Sequence, residues 1–526
     1  MEDIGLIKID LLGLANLTVL KNAERIVRKI ADSEFDILQV QDGDRATYEL
    51  LARAETIGIF QLESSGMRRY LKELKPTIFE DILSMIALYR PGPIDAIPDF
   101  IAAKCGRKQV AYLHPLLEPI LKYTYGVIVT QEQVLEIARK FSGLTYGEAD
   151  ILRKAVGKKI KKLLDEQRDK FVQGAVRTHG IKQALAEKVW EFIEPFARYG
   201  FNRAHAARYA RIAYQTAYLK VHYPQAFMAA LLTSDFGNLD RIAIEITECH
   251  RMGITIVPPN VNKSFAEFGV DQETKNIIFS LASIKGVGMG VAEAIQEDRK
   301  TNGPYLSLTN FIERMPRQVV NKRTMESLIK SGAFDVFGER AQLLAGIDQM
   351  LRVSDSLNRQ QSNNQMGLFG QGTRGGGNAV ITLPHVPAAT VKERMAWEKE
   401  FLGLYVSDNP LANYAGMLAK LATPISRLTL SMNGKRVKIG GVIASCRRIV
   451  TKNGKPMLFS NLQDCSNRKM EVVVFPDTLA KNPQLWQEDT VVVVEGRLNT
   501  RDGELKMICE KALAVSLPNP EAIETV

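Results

Sequence analysis

From Asp44 to about Leu232 apolar residues recur mostly at helical spacing, and the run is broken at "RPGP" (90–93), "YTYG" (123–126) and "YGFN" (199–202). This periodicity predicts one large, mainly α-helical region with basic clusters at its breaks. After "VPPNVN" (257–262), strand-like "NIIFSLASI" leads into "KGVGMGVAEAI" (285–295) and further helices up to about Leu351, a second compact helical unit. Residues 353–378 are rich in Ser, Asn, Gln and Gly, and bury too little apolar surface to offset the entropy of ordering, so they read as a flexible linker. From Arg436 the pattern changes to short alternating strands, "RVKIGGVIASCRRIV", "PMLFSNLQDC", "KMEVVVF", "TVVVVEGRLNT" and "ELKMICEKA", with turns at "KNGK" and "RDGE". Five such strands predict a small closed barrel.

At 526 residues the chain is too long for one ordinary domain. No apolar run is long enough to span a bilayer, and the N-terminus lacks a basic segment followed by an apolar stretch and a cleavage site, so no membrane role and a cytoplasmic location are expected. The cysteines (Cys105, Cys249, Cys446, Cys465, Cys509) are odd in number, far apart and never C-x-x-C, which argues for free reduced thiols rather than a disulfide framework or zinc site. Lys plus Arg number 69 against 59 Asp plus Glu, a net charge of +10. That excess suits a polyanionic partner but also serves solubility, so the placement of charge has to decide.

Several motifs carry candidate chemistry. In "GLIKIDLLGL" (5–14), Asp10 sits at the inward phase of an apolar strand, where a carboxylate needs a partner: a divalent cation, or Lys8 two residues earlier on the same face. The one D-x-D, "DGD" (42–44), stands at the start of a helix, where Asp44 makes a good cap. Arg90 precedes the stiff Pro-Gly-Pro turn, and Arg153, Lys154, Lys158 and Lys159 form a basic face around Gly157. Phosphate is the natural ligand of both, a solvated helix face being the alternative for the lysines. In "YGFNRAH", Tyr199 can stack on a base or sugar, Asn202 and His205 can donate hydrogen bonds, and Arg203 can pair with a phosphate.

"IKGVGMGVAEAI" has the pattern of a helix-hairpin-helix: Gly286 and Gly288 let backbone amides approach phosphate, Lys285 assists, and Ala292 and Ile295 point inward on the following helix. Such a unit binds duplex DNA without sequence preference, although glycine-rich helix turns that bind nothing are common. "QMGLF" places Leu368 and Phe369 in a polar linker where nothing local buries them, so with Gln365 they form a candidate peptide anchor for a partner's groove. Packing back on the chain's own helices is the alternative. The barrel, read as an OB-fold, pairs Arg447, Arg448, Lys452 and Lys455 with Phe459 and Phe475. This suits a single-stranded template if the rings are exposed, while strand phase could instead place both in the core.

An ordered series of stretches resembles the bacterial replicative DNA polymerase III alpha subunits, the C-family polymerases. They are "IKIDLLGLANLTVL" (7–20), "GIFQLESSGMR" (58–68), "ALYRPGP" (87–93), "YGVIVTQEQV" (125–134), "GEADILRKAVGKK" (147–159), "YGFNRAHAARYARIAYQTAYLK" (199–220), "PPNVN" (258–262), "SIKGVGMGVAEAI" (283–295), "LIKSGAFD" (328–335), "QMGLF" (365–369) and "WEKEFLGLYVSDNPL" (397–411). A single motif of this kind is weak, but the series is specific.

The resemblance implies a multidomain α+β architecture: a last palm strand (1–15), fingers (16–262), a helix-hairpin-helix and clamp-binding domain (263–352), a linker with a clamp-binding peptide (353–380), a connector (381–430) and an OB-fold domain (431–518). It implies template-directed DNA synthesis from deoxynucleoside triphosphates by a two-metal mechanism with magnesium. Asp10 would be the third of three palm carboxylates and Lys8 would lie near the incoming triphosphate. "YGFNRAH" and Arg90 would be incoming-nucleotide territory. The implied partners are primer-template and single-stranded DNA, a sliding clamp at Gln365, Leu368 and Phe369, and other replicase subunits. The sequence departs from the family at Ala204, where Ser is common, and at Arg208 and Arg211, where small residues are common. The P-D-x-D segment that supplies the other two carboxylates does not occur in these residues, so the chain alone is expected to be inactive. A silent DNA- and clamp-binding module and an error-prone relative are the alternative readings.

Overall fold

The structure is a computed structural model and describes residues 13–158, 161–362, 381–403, 411, 414–451, 454–465, 468–501 and 504–515. Two compact units divide the chain, Met1–Ser234 and Asp235–Val526.

In the first unit the Ala15–Ile30 helix buries Val19, Leu20, Ala23 and Val27, a stripe at three- and four-residue spacing. That stripe packs against the Pro224–Ser234 helix, which buries every residue from Ala226 to Leu232. The Arg203–His222 helix contacts both, as well as the Arg45–Arg53 and Phe79–Leu88 helices. It buries Ala206, Ala210, Ala213 and Ala217, small residues that permit such close packing. A separate core joins Gln131–Ser142, Tyr146–Lys158, Lys161–His179 and Gln183–Tyr199. At its centre the Phe141 and Phe171 rings stack 5.7 Å apart, and Trp190 tilts onto Phe171 at 5.6 Å.

The second unit begins earlier than the sequence division at 262 and 263 placed it. Strand β1 (Ile256–Val257) pairs in parallel with β3 (Ile277–Ile278), which pairs antiparallel with β2 (Gly269–Val270). Val261 N–H donates to Ala333 O at 3.0 Å. Backbone pairing therefore ties the 256–261 stretch to the hairpin-bearing helices rather than to the fingers.

The connector helix Val391–Leu402 is fastened to these helices by charge. Arg340 (3% exposed) donates to Glu398 (1% exposed) at 3.0 Å and to both oxygens of Asp335 at 2.9 and 2.8 Å.

The predicted barrel is closed, in the order β4 (Arg436–Val450), β5 (Pro456–Gln463), β6 (Lys469–Val474), β8 (Glu504–Ala514), β7 (Val491–Arg501) and back to β4. All neighbours are antiparallel except β6 and β8. Ile439, Ile443, Leu458, Leu462, Val472, Val494 and Met507 fill the interior. Two glycines permit the closure: a Cβ at Gly441 would sit 2.1 Å from Gln463 O, and one at Gly496 would sit 2.1 Å from Ile508 O. The register shifts at Glu495/Gly496, a bulge that tightens strand twist. None of the five cysteines forms a disulfide, and among the described residues no helix is long and apolar enough to cross a membrane.

Candidate nucleotide and nucleic-acid sites

In the first unit, the "YGFN" break is held by backbone pairing. Phe201 bridges Thr130 in parallel, Gln131 N–H donates to Phe201 O at 3.0 Å, and Phe201 N–H donates to Val129 O at 3.4 Å. Gln133 Oε1 accepts from the Val129 and Thr130 amides at 2.8 and 3.1 Å, fixing the other side of the bridge. Asn202 caps the Arg203–His222 helix by accepting from His205 N–H at 2.8 Å. Its carbonyl oxygen is thus committed to the backbone, a structural use the sequence reading did not assign.

Arg90 lies at this bridge. Its guanidinium sits over the Phe201 ring, 4.6 Å from the centroid, while its Nε donates to Ala87 O at 2.9 Å. Burial draws its pKa below the ordinary arginine value, yet an arginine stays cationic across physiological pH. The aromatic contacts continue: His205 meets Phe201 edge-on at 5.2 Å and stacks on Tyr209 at 4.2 Å, whose ring is tilted 5.0 Å from Phe60. Arg203 and His205 are exposed, and Arg203 N–H donates to Glu132 at 2.9 Å. Arg90, Asn202, Arg203 and His205 therefore come together, on an aromatic base that the sequence reading missed. Phe201 lies inside the same motif, where Tyr199 and the polar residues carry the more evident chemistry. The Tyr199 side chain lies outside the described set.

"DGD" is a structural knot, as the capping reading expected. Asp44 accepts from Thr47 N–H at 2.8 Å, Thr47 Oγ1 at 2.6 Å and His222 Nε2 at 2.9 Å. Asp42 pairs with Arg211, whose guanidinium also donates to Val40 O. Here Arg211, where the family commonly has a small residue, finds its use. Burial alone would raise the Asp44 pKa, but the hydrogen bonds from Thr47 and His222 outweigh it and hold the carboxyl below its ordinary value of 3.8. A carboxyl with a depressed native pKa stabilises the fold above its unfolded pKa and loses that contribution as pH falls through the native value. The stability difference between the protein and Asp44→Asn should therefore be constant near neutrality and shrink below pH 3.8, as read from urea melts. A difference that grows on acidification would contradict this account.

Among the described residues no group of three or more His, Cys, Asp or Glu side chains could hold a metal ion. The expected magnesium ligand, Asp10, and its neighbour Lys8 lie outside the described residues.

The basic face is less open than its sequence suggests. Arg153 donates twice to Asp150 Oδ1, at 2.9 and 2.8 Å, and Lys154 reaches Asp150 Oδ2 at 2.9 Å. Hydrogen bonds from Lys154 and Arg153 pull the Asp150 pKa below its ordinary value. Two cations sharing one carboxylate leave a single net positive charge. The three- and four-residue spacings were visible in the sequence. The Lys158 side chain and Lys159 lie outside the described set, as do Gln365, Leu368 and Phe369.

In the second unit the hairpin is formed as expected. Gly286 adopts φ 91°, Ile284 and Val287 are buried, and Gly288 is the N-cap of the Met289–Asn302 helix, which buries Ala292 and Ile295. Lys285 is 57% exposed, with Nζ 3.8 Å from Glu400.

On the barrel, both rings stand outside the core. Phe459 is half-buried and Phe475 is 45% exposed. Arg447 lies opposite Phe459 on the neighbouring strand, its guanidinium 5.3 Å from the ring centroid, and Val473 pairs on the other side. Arg448 and Lys455 are exposed as well. A ring flanked by a cation on an open strand face can stack a base while the cation meets backbone phosphate.

These elements define a multidomain α+β protein in which a helix-hairpin-helix unit and a closed five-stranded barrel follow a helical region in sequence. Three families match in the same order: the bacterial DNA polymerase III alpha subunit finger domain over residues 16–179, a helix-hairpin-helix motif over 253–343 and an OB-fold nucleic acid binding domain over 437–514. The chain is 41% identical to a DNA polymerase III subunit alpha from Saccharopolyspora erythraea over 99% of this chain and 45% of the relative. For the counterpart from Halalkalibacterium halodurans the identity is 41%, over 98% of this chain and 45% of the relative. For that from Thermus aquaticus it is 38%, over 100% and 43%. Among solved structures, an OBody bound to hen egg-white lysozyme matches 18% of this chain and 95% of its own at 18% identity and a TM-score of 0.16. The chain belongs to the bacterial DNA polymerase III alpha family and spans a little under half the length of these relatives.

Proposed function

We propose that the chain is the nucleotide- and template-handling portion of a replicative DNA polymerase that copies a template from deoxynucleoside triphosphates. The observation that carries this reading is the match across 99% of the chain to polymerase III alpha subunits, with finger, hairpin and OB-fold families in their expected order. Arg90 and Arg203 would meet the triphosphate and His205 would hydrogen-bond the incoming nucleotide. The hairpin at Lys285, Gly286 and Gly288 would track duplex phosphates, and Arg447 and Arg448 would follow the single-stranded template. Gln365, Leu368 and Phe369 would anchor a sliding clamp, and further replicase subunits would complete the assembly.

Asp10 is the donor type that a hard divalent cation takes, and magnesium bound there would supply charge neutralisation for the reacting phosphates. Lys8, two residues away, would add a point charge to the triphosphate.

The test is on the barrel. Phe459→Ala should weaken binding to a single-stranded oligonucleotide by about 5- to 100-fold, the range expected for losing one stacked base. Fluorescence anisotropy on the purified chain reads it directly. Unchanged affinity would remove the OB-fold face from the proposed template path.

A further inference from the structure

The helix-hairpin-helix unit contains a second turn built like the first, which the sequence reading did not single out. In the first, Val287 N–H donates to Ile284 O at 2.9 Å, both residues are buried, and Gly288 caps the Met289–Asn302 helix. In the second, Val319 N–H donates to Pro316 O at 2.9 Å, Val319 and Val320 are buried, and Asn321 caps the Lys322–Lys330 helix.

The two turns meet at one bare α-carbon. A Cβ at Gly286 would lie 2.5 Å from Ser327 Oγ, so the second helix packs its serine where the first turn has no side chain, and Arg323 Nε lies 3.5 Å from the same point. Arg323 is exposed, and no ion pair joins it to any described carboxylate. Lys285, the residue before Gly286, is exposed, and its Nζ makes a long contact of 3.8 Å to Glu400. A Cβ at Gly288 or Gly290 would meet no atom within 4 Å, so the space before the helix amides is open.

We infer that Arg323, together with Lys285 and the backbone amides that open the Met289–Asn302 helix, forms one composite seat for a single phosphate of the duplex DNA backbone. The inference rests on the proposed DNA-binding role of the hairpin and adds the residue that supplies its full charge. Backbone amides at a helix start carry only a partial positive charge. A guanidinium adds a whole one and a planar pair of donors that fits two phosphate oxygens. The second turn thus serves the first by positioning Arg323 beside it, and Gly286 is required because its φ of 91° disfavours any side chain and a Cβ there would strike Ser327 on the same helix as Arg323.

The experiment measures binding of the full chain to a short blunt duplex across a series of salt concentrations. Arg323→Ala should lower the slope of log affinity against log salt by about 1, the signature of one lost phosphate contact. Arg323→Lys, which keeps the charge, should keep most of the slope. Gly288→Asp is the companion variant: φ there is −84° and aspartate is a favourable cap. The fold is therefore retained while a carboxylate enters the seat, and duplex affinity should drop. If Gly288→Asp weakens binding and Arg323→Ala leaves the slope unchanged, the hairpin binds phosphate without Arg323 and the inference falls. If neither variant has an effect, the DNA-binding role of the hairpin falls and takes the inference with it.

Discussion

Asp10→Asn in a complete polymerase carrying this sequence should lower nucleotide incorporation by about 1000-fold or more while leaving primer-template affinity within about twofold. The substitution keeps the shape of the side chain and removes its charge. A hard cation such as magnesium is held by anionic oxygen, and an amide oxygen is a weaker donor. Metal assistance contributes several kcal/mol to phosphoryl transfer, and each 1.36 kcal/mol is tenfold in rate. Under the proposed function, primer-template affinity would rest on phosphate contacts made elsewhere along the chain, so it should not follow the rate. Single-turnover incorporation on a primed template, beside a binding titration, separates the two. Full activity in the variant would remove Asp10 from the proposed metal site. Lost binding would mean that its role is structural.

Arg340→Ala should destabilise the second unit by about 3–5 kcal/mol, the cost of leaving a buried ion pair without one partner. Burial alone would lower the Arg340 pKa, but Asp335 and Glu398 outweigh it and raise it, so the arginine remains charged. Glu398 is 1% exposed and would lose the guanidinium that donates to it. The effect should be localised. Hydrogen exchange at the amides of Val391–Leu402 should accelerate, while the amides of Arg203–His222 in the first unit should be unchanged. A loss under about 1 kcal/mol would show that water reaches Glu398 once the arginine is gone.

The barrel was the most legible part of the fold. Its strands alternate with period two, and the turns "KNGK" and "RDGE" punctuate them. What alternation could not settle was the outward phase of Phe459 and Phe475, since apolar residues occur on both faces of these strands. The hairpin was legible because its glycines have a backbone use. Its partner turn was not, because Pro316 to Asn321 carries no glycine and the proximity of Arg323 to Gly286 arises only when the second helix packs. The charge sharing at Asp150 could have been read from spacing. The pairing of Arg211 with Asp42 could not, because 169 residues separate them. The division of the chain was misplaced for a similar reason: β1 finds its partner β3 across the "PPN" break that had been read as a boundary.

The knot at "DGD" also sets an order of events during synthesis. Asp44 N–H donates to Tyr214 Oη, a partner 170 residues later in the chain, and Arg211 and His222 reach the same loop. A ribosome adding roughly 5–20 residues per second needs roughly ten to thirty seconds to supply that stretch. Throughout that interval the 36–44 loop has none of these three anchors, and the Arg45–Arg53 helix lacks the long helix against which it packs. The nascent first unit is therefore most exposed to proteases and chaperones just before the Arg203–His222 helix emerges. Substitutions at Arg211 or Tyr214 should accordingly reduce the yield of protein made in cells more than they reduce the stability of protein already folded.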